Sequence, residues 1–149
     1  MSTLSPAEHL LFPLVAGETR LVIPLEETVL SAALKPAFDR SQRLIVFVHG
    51  AASNASRWEE FVDTTALSQR WTLVRFDLRG HGASPARRPG RLENYADDIA
   101  AVIGASGVHG PIVVVGHSLG AAAALVFAKR FPRIVNGLVL IDPLLEGCL

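Results

Sequence analysis

The sequence predicts an α/β fold in which helices cover both faces of a mostly parallel sheet. Four short runs are apolar without alternation except for Arg75, at residues 44–48, 73–76, 112–115 and 138–141, and this is typical of strands buried on both faces. Segments with helical spacing of apolar residues separate these runs, and strand–helix alternation of this kind produces right-handed crossovers between parallel strands. The chain has 149 residues, half of them hydrophobic, which fits one domain with a substantial core.

Two further strands are expected before this alternating region. Residues 1–17 read as an irregular lead-in, and residues 18–149 as the domain itself. Residues 20–25 form a predicted strand that contains Pro24, which has no backbone N–H to donate. We therefore place this strand at an edge of the sheet. A second strand is expected over residues 28–34, before Pro36.

Three helices are predicted between the apolar runs. The first begins at an expected capping box formed by Ser56 and Glu59. The third covers residues 119–130 and ends before Pro132. The first two helices carry apolar stripes, formed by Trp58, Phe61, Val62 and Leu67 and by Leu92, Tyr95, Ile99, Val102 and Ile103.

Composition argues against several classes of partner. The formal net charge is zero, so bulk charge attracts neither nucleic acid nor an anionic membrane. The arginines at 87, 88 and 91 lie in a loop rich in proline and glycine, which we interpret as solvated. Cys148 is the only cysteine, which fits a reducing compartment. We expect a cytoplasmic protein with no membrane or nucleic-acid partner, no metal and no cofactor.

The strongest chemical signal is a turn between a buried strand and a helix. Gly116, His117, Ser118, Leu119 and Gly120 form the G-x-S-x-G pattern in this setting, and that setting is the one a nucleophile elbow requires. So tight a turn holds its serine in a strained backbone conformation, at a cost of roughly 1–3 kcal/mol. Ser118 is therefore the predicted nucleophile.

A second signal follows the first buried strand, at His49, Gly50 and Ala51. Acyl transfer needs backbone N–H groups aimed at the developing oxyanion. The expected donors are the amides of Ala51 and Leu119, and Gly50 allows the backbone to come close. We interpret His49 as a residue whose ring hydrogen-bonds within the loop, rather than as a general base.

A third signal is the glycine-rich loop over residues 77–84. Its expected role is structural, with Asp77 and Arg79 bracing the loop beside the site. His81 belongs to the same loop, and we do not assign it a catalytic role.

In their order and spacing, these motifs resemble those of the α/β-hydrolase fold family, with the resemblance covering about residues 20–145. It implies that Ser118 attacks a carbonyl, that a histidine takes its proton and that a carboxylate orients the histidine. It also implies an acyl-enzyme formed from a small-molecule carboxylic ester or related acyl compound. Dehalogenases and epoxide hydrolases of the family carry aspartate at the nucleophile position, so Ser118 argues against those reactions.

The sequence departs from the family pattern after the sixth strand. The family's histidine follows the eighth strand, and no residue of this sequence matches it. We therefore expect a domain truncated after about the sixth strand. Asp142 is either the catalytic acid or a structural residue at the end of a strand, and both interpretations stay open.

Two consequences follow from this departure. Residues 138–141 would form an exposed apolar edge strand, through which the chain could self-associate. A catalytically inactive binding or interaction protein is the alternative function. A dinucleotide-binding fold is excluded, because its motif needs glycine where Ser118 stands.

Overall fold

Six strands form one sheet in the computed structural model, which describes residues 4–143; Cys148 lies outside these residues. The sheet order is β1-β2-β4-β3-β5-β6. In chain order, the strands are β1 (Thr19–Pro24), β2 (Val29–Lys35), β3 (Leu44–Val48), β4 (Thr72–Phe76), β5 (Ile112–His117) and β6 (Gly137–Ile141).

The four predicted central strands are parallel to one another. β3 pairs with β4 on one side and with β5 on the other, and β6 pairs with β5, all in parallel. β1 pairs antiparallel with β2, and β2 pairs antiparallel with β4. The prediction that the strand with Pro24 lies at an edge is confirmed. The carboxyl ends of parallel strands lie at the same end of the sheet, so the loops after β3, β4, β5 and β6 are neighbours there.

Helices cover the two faces of the sheet unequally. The helices are α1 (Glu59–Thr64), α2 (Leu92–Ser106) and α3 (Leu119–Arg130). The larger core lies between the sheet and the pair α2 and α3, with Ile99, Val102 and Phe127 among its buried side chains. The smaller core lies on the other face, where Trp58 and Val62 pack on Phe47. None of the helices within residues 4–143 is long and apolar enough to cross a membrane.

The predicted start of the first helix is wrong. Asn54, rather than Ser56, caps this segment: its side chain accepts a hydrogen bond from the Ser56 amide at 2.8 Å. A short 3-10 helix at Ala55–Trp58 comes first, and α1 then ends at Thr64. The expected stripe is therefore broken, and Phe61 and Leu67 are 45% and 42% exposed.

A buried ion pair ties the segment that precedes β1 to the sheet. The Arg75 side chain projects from β4 and makes two 2.8 Å hydrogen bonds to the Glu18 carboxylate. Both side chains are fully buried. Arg75 also donates to the Pro13 and Ala55 carbonyl oxygens, at 2.8 and 3.1 Å. Each of the three guanidinium nitrogens is thus hydrogen-bonded, as burial of the charge requires.

Candidate active site

Ser118 occupies a strained turn between β5 and α3. Its backbone angles are φ 52° and ψ −113°, a region that non-glycine residues rarely adopt. Two contacts hold the turn in place. The Ser118 amide donates to the Ile141 carbonyl oxygen at the end of β6, at 2.9 Å, and its own carbonyl accepts from the Ala121 amide at 3.0 Å.

Two glycines make this turn sterically feasible. A Cβ on Gly120 would lie 2.3 Å from the Val48 carbonyl oxygen and 2.5 Å from that of His49. A Cβ on Gly116 would lie 2.5 Å from the Gly120 carbonyl oxygen. Backbone oxygens cannot move aside as a side chain does, so glycine is required at both positions. These contacts press the start of α3 against the end of β3.

The loop after β3 lies directly against Ser118. A Cβ on Gly50 would stand 3.3 Å from the Ser118 Cβ and 3.0 Å from His117 Nδ1. Among the residues that the structure describes, neither the Ala51 amide nor the Leu119 amide has a hydrogen-bond acceptor. Two N–H groups from the loop and the elbow are therefore free to donate to a ligand.

Both ring nitrogens of His49 are engaged, although the ring is fully buried. Nδ1 lies 2.7 Å from the Gly50 carbonyl oxygen, and Nε2 accepts from the Leu78 amide at 3.0 Å. This pattern requires a neutral ring with its proton on Nδ1. Burial lowers the pKa of His49 to about 4, and the nearby His81 also lowers it. The ring thus joins the loops after β3 and β4 and has no nitrogen left for Ser118.

Asp77 organises the loop after β4. Its two carboxylate oxygens accept from the Ala55 amide at 2.7 Å and from the Ala83 amide at 2.9 Å. Burial raises the pKa of Asp77, while these two hydrogen bonds act in the opposite direction. The Ser84 hydroxyl donates to the Asp77 carbonyl oxygen at 2.7 Å. Asp77 is thereby directed into loop contacts and away from Ser118.

Arg79 has a partner that the sequence analysis did not identify. The guanidinium donates to Asp98 Oδ1 at 2.9 and 2.6 Å, and the Arg79 amide donates to Oδ2 at 3.1 Å. Asp98 lies on α2 and is fully buried. The sequence feature that could have indicated this ion pair is the carboxylate of Asp98, which stands next to Ile99 in the apolar stripe, because a buried charge needs a partner.

No imidazole is hydrogen-bonded to Ser118 within residues 4–143, which include all five histidines. His9 lies in an exposed 3-10 turn, and His109 precedes β5, at the opposite end of the sheet from the elbow. His117 is half-buried, and its Nδ1 has no hydrogen-bond partner among the described residues. His81 Nδ1 lies 3.1 Å from the Arg79 carbonyl oxygen, within its own loop.

Asp142 lies beside the elbow but is exposed. It directly follows β6, with a positive φ of 46°, and the preceding carbonyl oxygen accepts from the Ser118 amide. Within the described residues, its carboxylate forms no ion pair. The same part of the chain contains no group of three or more potential metal-binding His, Cys, Asp or Glu side chains.

Comparison with known proteins identifies the family. A family described as the alpha/beta hydrolase fold matches residues 43–148. Over 100 residues the chain is 40% identical to a 2-(acetamidomethylene)succinate hydrolase from Mesorhizobium japonicum, covering 66% of this chain and 35% of that protein. The chain thus spans about a third of the length of this curated relative.

Solved structures agree with this assignment. An esterase from Thermogutta terrifontis is 26% identical, with a TM-score of 0.69, over 85% of this chain and 46% of the esterase. The epoxide hydrolase CorEH is 23% identical, with a TM-score of 0.71, over 85% of this chain and 42% of that protein; this second likeness shows the fold alone. The elbow, the sheet order and the family match agree, and the chain belongs to the α/β hydrolase fold family.

Proposed function

We propose that this chain carries the nucleophile and oxyanion hole of a serine hydrolase that acts on carboxylic esters or related acyl compounds. The observation that carries the proposal is the strained Ser118 turn, which packs against a loop with a free amide at Ala51 and is followed by another at Leu119. Backbone strain persists where the surrounding structure enforces it and is concentrated at functional sites.

In the proposed reaction, Ser118 Oγ attacks the carbonyl carbon of the substrate and its proton passes to a base. The carbonyl oxygen becomes negatively charged, and the amides of Ala51 and Leu119 donate to it. Collapse of the tetrahedral intermediate expels the alcohol, which takes up the proton and leaves an acyl group on Oγ. Water, deprotonated by the same base, then attacks the acyl carbon and releases the acid and free Ser118.

We assign the base in this scheme to none of the five described histidines, because none of them is hydrogen-bonded to Ser118. His49 is excluded by its two hydrogen bonds, and His109 by its place at the far end of the sheet. Asp142 is the candidate for the carboxylate that orients the base, because it follows the strand that holds the elbow. The relatives named as a hydrolase and an esterase are consistent with ester or related acyl chemistry.

Covalent labelling with chemical rescue tests this proposal. The purified chain is first shown to be folded by circular dichroism and then treated with a fluorophosphonate, with and without imidazole in solution. We expect slow labelling that maps to Ser118 and accelerates with imidazole, which stands in for the base. Ser118→Ala removes the label, whereas Ser56→Ala, at an exposed serine, leaves it unchanged.

The alternative is a non-catalytic protein that uses the fold for binding. The absence of an imidazole hydrogen-bonded to Ser118 within residues 4–143 favours it. Labelling distributed over several serines, or none at Ser118 in a folded chain even with imidazole, would support this alternative and contradict the proposed nucleophile.

A further inference from the structure

The oxyanion loop, residues 50–54 after β3, carries the proposed Ala51 donor but has little support of its own. Ala51 and Ala52 are exposed, and residues 51–53 make no hydrogen bond to any other described part of the chain. Ala52 has a positive φ of 53°, a left-handed conformation that a residue with a Cβ adopts only at an energetic cost. Such strain persists only where the surrounding structure enforces it, so this loop must be held at its two ends.

The first end of the oxyanion loop is held at the elbow. The Gly50 carbonyl oxygen lies 2.7 Å from His49 Nδ1. Gly50 packs so closely on the elbow that a Cβ there would lie 3.3 Å from the Ser118 Cβ. These contacts fix the residue before Ala51, but they do not reach the far side of the loop.

The second end is held at Ala55, which is fully buried. Its amide donates to Asp77 Oδ1 at 2.7 Å, and its carbonyl oxygen accepts from Arg75 Nη1 at 3.1 Å. Arg75 and Asp77 are two residues apart where β4 ends, so both side chains lie on the same face of the sheet. Both backbone groups of Ala55 are therefore fixed by β4 and the residue that follows it.

The Arg75 guanidinium is oriented in turn by the segment before β1. Glu18 accepts from Nε and Nη2, each at 2.8 Å, and the Pro13 carbonyl oxygen accepts from Nη2 at 2.8 Å. The Glu18 carboxylate is itself held by the Val15 amide at 2.9 Å. Because the other two nitrogens are engaged in this way, Nη1 is directed at Ala55.

We propose that Arg75 is a positioning residue of the oxyanion hole. By fixing the Ala55 carbonyl, it holds the oxyanion loop in the strained conformation that presents the Ala51 amide beside Ser118. Arginine suits this task, because its planar fork binds a carboxylate with two nitrogens and keeps the third for a carbonyl oxygen; a lysine ammonium lacks this geometry. The inference rests on the proposed hydrolase function, in which that amide donates to the oxyanion.

Backbone order in the oxyanion loop tests the role of Arg75 without any reaction. Arg75→Lys keeps the charge but loses the fork. Arg130→Lys is the matched control, because Arg130 forms an exposed ion pair with Asp97 at the end of α3. In Arg75→Lys, NMR order parameters of residues 51–53 should fall from about 0.85, typical of rigid backbone, to below about 0.6. The control should leave them unchanged.

Order parameters describe motion within the folded chain, so a loss of overall stability alone would not lower them. Residues 107–110, at the opposite end of the sheet, should keep their values in both variants. Unchanged order in residues 51–53 of folded Arg75→Lys would overturn the proposal. If Arg75→Lys does not fold, Glu18→Gln decides by the same measurement, because it leaves the fork with a neutral partner; a smaller decrease is expected, and no decrease would overturn the proposal.

The phosphorus NMR shift of the labelled serine connects the loop to the oxyanion hole. In the fluorophosphonate adduct of Ser118, the phosphoryl oxygen takes the place of the oxyanion. Arg75→Lys should move the shift of the folded adduct towards that of the adduct unfolded in urea, whereas Arg130→Lys should not. An unchanged shift in Arg75→Lys would overturn the proposal. If the parent chain were not labelled at Ser118, the hydrolase function itself would fail, and the order parameters would still show whether Arg75 holds the loop.

Discussion

Gly120→Ala is the substitution that most directly probes how the elbow is built. The added methyl group would lie 2.3 Å from the Val48 carbonyl oxygen and 2.5 Å from the His49 carbonyl oxygen. Normal contact between carbon and oxygen needs more than 3 Å, so α3 must move away from β3 by about 1 Å. That displacement would also shift Ser118, which immediately precedes the helix.

The expected cost is at the upper end of overpacking penalties, about 3 kcal/mol of unfolding free energy. The atoms that the methyl group would contact are backbone carbonyl oxygens, which cannot move aside by taking another rotamer. Gly104→Ala is the matched control, because nothing lies within 4 Å of a Cβ at this position of α2. The control should stabilise the chain by roughly 0.5–1 kcal/mol, since alanine favours a helix more than glycine does.

Urea denaturation followed by circular dichroism measures both effects. Gly120→Ala should lower the midpoint strongly and Gly104→Ala should raise it slightly. If Gly120→Ala were as stable as the parent chain, the elbow would not be packed against β3 as described, and the geometry of the site would have to be revised.

Three further changes have expected outcomes. Burial lowers the pKa of His49 from 6.5 to about 4, so as the pH falls the unfolded chain protonates this ring before the folded chain does. About 3 kcal/mol of unfolding free energy that is present above pH 6.5 should therefore be lost by pH 4. Urea titrations at several pH values measure this loss, and His49→Gln should reduce it. Glu18→Ala leaves the Arg75 charge buried without its partner and should cost about 3–5 kcal/mol of unfolding free energy. Glu18→Gln should cost less. If both variants lost the same small amount of unfolding free energy, the stabilising role of the ion pair would be contradicted. Val139 and Ile141 are 47% and 42% exposed on β6, which has no outer neighbour among the described residues. We therefore expect concentration-dependent self-association in sedimentation experiments, which Val139→Lys should reduce.

The parallel region of the fold could be predicted because its signals are local. Apart from Arg75 in β4, the predicted central runs are continuously apolar, and Pro24 alone placed β1 at an edge. The start of the first helix was mispredicted because Asn54 and Ser56 are both good caps, and only the hydrogen bond to the Ser56 amide distinguishes them. The observed bounds of the elements also differ from the predicted bounds by a residue or two. The strand β5, for example, extends to His117.

Long-range polar partners could not be read from the sequence. Arg75 within an apolar strand and Asp98 within an apolar stripe each signalled a buried charge that needs a counterpart. Their partners are far away in the chain, at Glu18 and Arg79. Only the fold brings such groups together, so the partner of each charge is identified by the structure alone.

Trapping an acyl-enzyme would test the central claim most directly. The folded chain is incubated with p-nitrophenyl acetate, and its intact mass and peptide map are recorded over time. Because no described imidazole is hydrogen-bonded to Ser118, both steps should be slow. Acylation should be slowed less than deacylation, since p-nitrophenolate leaves without taking up a proton, and the acetyl group should therefore accumulate. The account predicts one acetyl group, on the peptide that contains Ser118, and none in Ser118→Ala. Acetylation elsewhere at the same rate in both proteins would contradict Ser118 as the nucleophile.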